Sequence, residues 1–221
     1  MNTRSYSFQG ALQSIKRKAF FSFHYDDIMR VNNVRNAWKI EHPDSPQNRS
    51  FYDSSLWEAR KLTDPEQIKA LIRDGVSYTS VVCVLIGTDT WSRRWVKYEI
   101  ARSVVDGKGL LGVHLNGINH HQTRVPHVLG YNPIALMGVS LDAKGNLYLC
   151  ENAWDQAAQS YRWKWYEDYT LPVQAPKYMR APAAGEILQL SSFTREYDFS
   201  RQNGHTNIGG WIDLAATEAG R

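Results

Sequence analysis

Eight residues, Ser80-Val-Val-Cys-Val-Leu-Ile-Gly87, make an almost unbroken apolar run with no alternation between apolar and polar positions. A strand without a polar side has to be covered on both faces, the situation of strands in a parallel sheet flanked by helices. Leu110-Leu-Gly-Val-His-Leu115 repeats the pattern, and Lys18-Ala-Phe-Phe-Ser-Phe-His24 reads as a first strand. Helical stretches lie between them. Ile28, Val31, Val34, Trp38 and Ile40 recur at near-helical spacing after Asp26 and Asp27, which read as caps. Thr63-Asp-Pro-Glu66 reads as a capping box with proline in the first turn, ahead of Ile68, Leu71 and Ile72. A third helix runs through Glu99, with Ser92 as its cap, and Ser50 to Asp53 reads as a short strand. Strands alternating with helices imply a parallel sheet with right-handed crossovers.

After Asn116 the pattern changes. Gly138 to Cys150 reads as two short strands around an Asp-Ala-Lys-Gly-Asn turn, Ala153 to Tyr166 as an aromatic-rich helix, and Leu171 to Pro182, with three prolines, as irregular chain. From Arg201 the Gly, Asn and Thr content gives no periodic pattern, so 201–221 reads as an arm or tail. With 221 residues and 43% apolar content, the chain is long enough for one substantial domain plus an extension. The boundaries that follow are 16–124, 125–200 and 201–221. No apolar run is long enough for a membrane span, and the N-terminus has no apolar signal region. Cys83 and Cys150 fit buried free thiols in a reducing compartment, so a cytoplasmic protein is expected.

A net charge of +4, from 26 basic and 22 acidic residues, permits an anionic ligand without arguing for nucleic acid. Gly107-Lys-Gly-Leu-Leu-Gly112 matches a phosphate-loop spelling but leads from helix into strand, the reverse of what dinucleotide binding requires, and reads as a helix C-cap and turn. His120-His121 has no carboxylate or cysteine at ligand spacing, and no metal is expected. Tyr161-Arg-Trp-Lys-Trp-Tyr166 interleaves basic and aromatic residues as single-strand binders do, but without a wider basic patch it reads as aromatics packing on the sheet or a partner. The segment that carries chemistry is Trp91 to Arg102. Ligands of open α/β sheets bind at the carboxyl ends of the strands, and Trp95 and Glu99, four apart, share one helix face just downstream of such an end. Glu99 could simply pair with Arg94 or Arg102 on an exposed face. A carboxylate among aromatics also suits glycosidic-bond cleavage through an oxocarbenium-like ribosyl cation.

Phe20-Phe-Ser-Phe-His-Tyr-Asp-Asp27 resembles the first box of TIR domains, and Ser92-Arg-Arg-Trp-Val-Lys-Tyr-Glu-Ile100 resembles their Ser-x-x-Trp-Cys-x-x-Glu-Leu box, with Val96 for cysteine and Ile100 for leucine. With Arg35-Asn-Ala-Trp38 and Phe51-Tyr-Asp-Ser-Ser-Leu-Trp57, the chain looks most like the bacterial TIR-like proteins of Thoeris anti-phage systems, over about residues 16 to 120. The resemblance implies a flavodoxin-like α/β fold, here with a C-terminal mixed α/β extension. It also implies an enzyme that splits NAD at the nicotinamide-ribose bond and turns ADP-ribose into a signal molecule, often a cyclic isomer. NAD is then a substrate and no cofactor is needed. The signal acts on a separate effector protein, with a phage-derived trigger and a homo-oligomer as further expected partners and neither membrane nor nucleic acid. Glu99 falls on the family's catalytic glutamate. Ser22, Phe23 and His24 fall where the family lines its nucleotide pocket, Trp95 belongs to the second box, and Asp53 and Trp57 are added from the loop before it. Three rivals stand beside this expectation: a TIR module that only assembles, a nucleoside deoxyribosyltransferase that ignores NAD, and a nucleic-acid binder using the stretch around Trp163.

Overall fold

The computed structural model describes residues 17–41, 51–53 and 64–221. Its frame is a five-stranded parallel sheet of β1 (Ala19–Ser22), β2 (Phe51–Asp53), β3 (Val81–Ile86), β4 (Gly109–His114) and β9 (Arg195–Asp198), in the order β2-β1-β3-β4-β9. That is the flavodoxin-like order expected above, with the direction of winding reversing between β1 and β3. Every residue of β1, β3 and β4 is buried, as their unbroken apolar character requires.

Alternate residues of each strand feed two separate cores. Phe20, Val82, Val84, Ile86 and Leu110 face α2 (Pro65–Ser77) and α3 (Arg94–Val105). Phe21, Cys83, Leu85, Leu111 and Val113 face α1 (Ile28–Glu41) and α4 (Gly204–Glu218). Trp38 of α1 meets the Phe21 ring edge-on at 6.4 Å. Two caps differ from expectation. Asp64, not Thr63, caps α2, its carboxylate accepting from Glu66 N at 3.0 Å. The residue at the N-cap of α3 is Arg93, because the Ser92 hydroxyl is spent on Asp89 O at 2.9 Å.

Residues 137–189 build a second, antiparallel sheet of β5 (Met137–Leu141), β6 (Leu147–Asp155), β7 (Ser160–Trp165) and β8 (Ile187–Gln189), ordered β7-β6-β5-β8. The expected turn is present: Asp142 accepts from the backbone N–H of Lys144 and Asn146, and Gly145 takes φ +82. The expected helix over Ala153 to Tyr166 is not. Asp155 nucleates a turn by accepting from Ala157 and Ala158, Gln159 adopts φ +48, and the chain returns as β7. Tyr161, Trp163 and Trp165 alternate at a period of two and sit opposite Trp154, Asn152 and Cys150, so strand pairing overrides any helical reading.

The second sheet does not stand apart. Met137, Val139, Leu149, Tyr166, Leu188 and Leu190 join the same core as Phe20 and Val84, so α3 lies between the two sheets, touching β3 and β4 on one side and β5 on the other. Ion pairs fasten the contact. Arg94 donates from Nε and Nη2 to the two oxygens of Asp168 at 2.8 and 2.6 Å, Lys69 Nζ lies 3.2 Å from the same carboxylate, and Lys97 reaches Glu151 at 2.9 Å.

The tail expected over 201–221 is instead mostly helix. Ile208, Ile212, Ala215 and Ala216 of α4 recur at helical spacing and are buried on α1 and β4, a stripe hidden among poor helix formers. A Cβ on Gly109 would lie 2.5 Å from Ala215 O, so the start of β4 takes glycine to let α4 approach. Together with β9 this helix completes the parallel sheet after the chain has left it for 80 residues, so the fold does not divide at 200. Among the described residues no helix is long and apolar enough to cross a membrane.

Candidate active site at the carboxyl edge of the parallel sheet

Glu99 sits midway along α3 and has no solvent exposure. Burial of this order follows from the sandwich: Val96, Tyr98, Ile100, Ala101, Ser103 and Val104 are buried with it, and α3 presents no broad wet face. The open shelf expected from the sequence is therefore a covered one. Trp95, one turn earlier, is half-buried against the same core, with Tyr98 edge-on at 6.4 Å and the Arg94 guanidinium 4.8 Å from its ring centroid.

The three residues expected at the end of β1 divide. Ser22 is fully buried and shares the α3 side of the sheet with Phe20, and its Oγ has no hydrogen-bond partner among the described residues. Phe23 packs on the opposite side, among the residues under α1 and α4, with Arg35 5.4 Å from its ring centroid. It is not brought together with the Glu99 helix. His24 returns to the rim, where Arg93 Nη2 approaches its Nδ1 at 3.4 Å. A guanidinium only donates, so Nδ1 accepts and the ring proton sits on Nε2, 3.7 Å from an Asp26 oxygen. Burial and then Arg93 push the His24 pKa below its usual 6.5, which keeps the imidazole neutral at pH 7. Asp53 is the last residue of β2, in register with Phe21, and Trp57 lies outside the described residues.

A group that sequence reasoning assigned to helix capping proves to be the centre of the rim. Asp27 turns inward at 4% exposure and lies 3.4 Å from Arg30 Nη1. Its carboxyl fits against the Gly87 backbone so closely that a Cβ there would lie 1.8 Å from Oδ2. Burial raises the Asp27 pKa, while Arg30, His24 and His127 oppose the shift. Arg30 Nε also donates to Ile118 O at 3.0 Å, so one ion pair ties the loops after β1, β3 and β4 together. Thr90 Oγ1 accepts from Gly87 N at 2.9 Å and shapes the turn into α3. The usable signal for this cluster was an Asp and a glycine each closing an apolar strand, at the point where the winding direction reverses.

The site thus comprises a buried carboxylate on α3, a hydroxyl on β1 on the same side of the sheet with no hydrogen-bond partner among the described residues, and a cationic and imidazole pair at the rim. Those are the elements needed to hold an anionic, ribose-bearing ligand and to stabilise positive charge developing on its sugar. Residues 20–120 match the family model described as "Thoeris protein ThsB, TIR-like domain". Over 203 residues the chain is 36% identical to a protein of Bacillus cereus (strain MSX-D12) named "Putative cyclic ADP-D-ribose synthase ThsB1", an alignment that takes in 89% of this chain and 99% of the relative.

Proposed function

The chain belongs to the ThsB family of Thoeris proteins, and from that premise we infer that it cleaves NAD and makes a cyclic ADP-ribose-type signal molecule in anti-phage defence. The observation that carries this reading is the near full-length match to a relative named as a cyclic ADP-D-ribose synthase, which runs through both sheets as well as the family-matched segment.

The reaction breaks the bond between the ribose C1′ and the nicotinamide nitrogen. The electron pair leaves with nicotinamide, which departs neutral, and C1′ is left as an oxocarbenium-like cation. To Glu99, the buried carboxylate of α3, this reading assigns the stabilisation of that cation and the hold on the ribose hydroxyls. A nucleophilic atom elsewhere in the same ADP-ribose then attacks C1′ and loses its proton, closing the ring. Cyclisation in place of hydrolysis requires a site that excludes water and holds the two ends of one molecule near each other. The covered position of Glu99 between two sheets suits the first requirement. It also means that the side chains over Glu99 have to part before a dinucleotide reaches it, which fits an enzyme that waits for an infection-derived trigger. The product would act on a separate effector protein. Ser22, His24 and Trp95 are the residues of this chain assigned to hold the nucleotide, with Asp27 and Arg30 fixing the loops around it.

The test is incubation of NAD with the purified protein and with lysate of phage-infected cells expressing it, followed by mass spectrometry. Nicotinamide release together with a product of cyclic ADP-ribose mass, both lost in Glu99→Gln, is the expected result. A fully active Glu99→Gln protein would remove the assignment of that carboxylate.

A further inference from the structure

We propose that Trp91 and Tyr131 form the platform on which the adenine end of the dinucleotide stacks, an assignment that rests on the NAD-cleaving reading above. The segment joining β4 to the second sheet carries four large apolar side chains in water: Val125, Val128, Leu129 and Tyr131, the last 75% exposed. Single exposed apolar residues are ordinary, but a contiguous patch marks a binding surface. This patch lies at the carboxyl edge of the parallel sheet, where open α/β sheets take their ligands.

The mount is rigid although its side chains are bare. Thr88 Oγ1 donates to Val128 O at 2.7 Å, Asn116 Nδ2 donates to the same carbonyl, and His127 N donates to Asn116 O at 2.9 Å. Gly130 lies so close to the end of β3 that a Cβ would fall 1.9 Å from Gly87 O. On the other side of Tyr131, Asn132 caps the following turn by accepting from Ile134 N at 2.9 Å. An aromatic ring held by fixed backbone on both sides needs little ordering to receive a planar base. Trp91, in the turn before α3, meets the Tyr131 ring edge-on at 5.9 Å and 88°, which braces Tyr131 and leaves its exposed surface free.

The choice of adenine over nicotinamide follows from setting the reacting ribose at Glu99. From Arg94 to Glu99 the helix rises by about 7.5 Å. With the ribose that loses nicotinamide at Glu99, the rest of the dinucleotide runs toward the N-terminus of α3. The exposed Arg93 guanidinium and the positive end of a 12-residue helix stand there for the pyrophosphate. The second base then arrives beside Trp91 and Tyr131.

Stacking of one base on an aromatic side chain gives about a tenfold effect on affinity. Tyr131→Ala should therefore raise KM for NAD about tenfold with kcat within about twofold. The inhibition constant of 5′-AMP should rise by the same factor and that of nicotinamide mononucleotide should stay put. Tyr131→Phe should restore the wild-type KM. An unchanged KM in Tyr131→Ala, failure of 5′-AMP to inhibit the wild type, or equal weakening of both mononucleotides overturns the platform while leaving NAD cleavage intact. In that case the patch is a protein-docking surface. A wild-type protein that leaves NAD untouched, alone and in infected lysate, overturns the NAD reading and the platform with it.

Discussion

The two sheets press on the same helix and are built on different principles. The parallel sheet is dry on both faces through its central strands: β1, β3 and β4 bury every residue, and polar groups gather where β1 and β3 end, at Ser22, His24, Asp27 and Thr90. The antiparallel sheet is dry on one face only. Leu147 and Leu149 go into the shared core, while Trp154, Tyr161 and Trp165 stay about half exposed on the other side. Its attachment to α2 and α3 adds ion pairs to that apolar contact. The difference teaches a division of labour: one sheet ends in a polar rim, and the other packs over the helix that carries Glu99.

The strongest test of that division is Glu99→Gln, which keeps shape and volume. It should lower NAD turnover by about a thousandfold, about 4 kcal/mol of transition-state stabilisation, with the thermal melt unmoved. Next in size is a matched pair of core truncations, Leu111→Ala in the parallel sheet and Leu149→Ala in the antiparallel one. Each should cost about 2–5 kcal/mol, because both side chains are fully buried. Denaturant unfolding should stay a single transition in both. A separate early transition in Leu149→Ala, with turnover retained, would show the second sheet to be a detachable appendage. Gly87→Ala sharpens the rim side. Its Cβ has to displace the Asp27 carboxyl, at a cost of about 1–3 kcal/mol, and NAD turnover should fall because the Asp27–Arg30 tie is lost.

The smallest effect belongs to the fasteners. Arg94, followed by Lys69, holds the Asp168 carboxyl below its ordinary 3.8. A carboxylate depressed on folding stabilises the native state above the unfolded pKa, and that contribution fades as pH falls through the folded one. Asp168→Asn should cost no more than about 1 kcal/mol at pH 7, given its position near solvent, and the gap to wild type should close as the pH falls below the ordinary 3.8 of the carboxyl. Chemical denaturation across that range reads it directly. A gap that stays constant with pH would place the effect of Asp168 in packing instead of charge.

What the sequence disclosed follows the same line. Strands dry on both faces announce themselves by composition, so β1, β3 and β4 were legible, as was the Asp142 to Asn146 turn, because its side-chain chemistry is local. The aromatic hairpin was misread because Trp, Tyr, Arg and Lys fit either period over a short stretch, and only pairing with β6 decides. Helix α4 was missed because Gly209, Gly210 and the threonines mask a stripe whose stability comes from contact with β4 and α1. At the candidate site, Glu99 and His24 are motif residues and so could be singled out from sequence. Asp27 was not, since its inward turn depends on a glycine 60 positions away.

The return of β9 to β4 sets an order of events in the life of the chain. Until residues 195–198 have been synthesised, β4 is an open edge with unpaired amides, and until α4 follows, Leu111 and Val113 lack part of their cover. Everything from β5 to β8 emerges from the ribosome in between. The segment that bears Glu99 is thus made early and completed late, so a partly made chain carries Glu99 before the fold around it is finished.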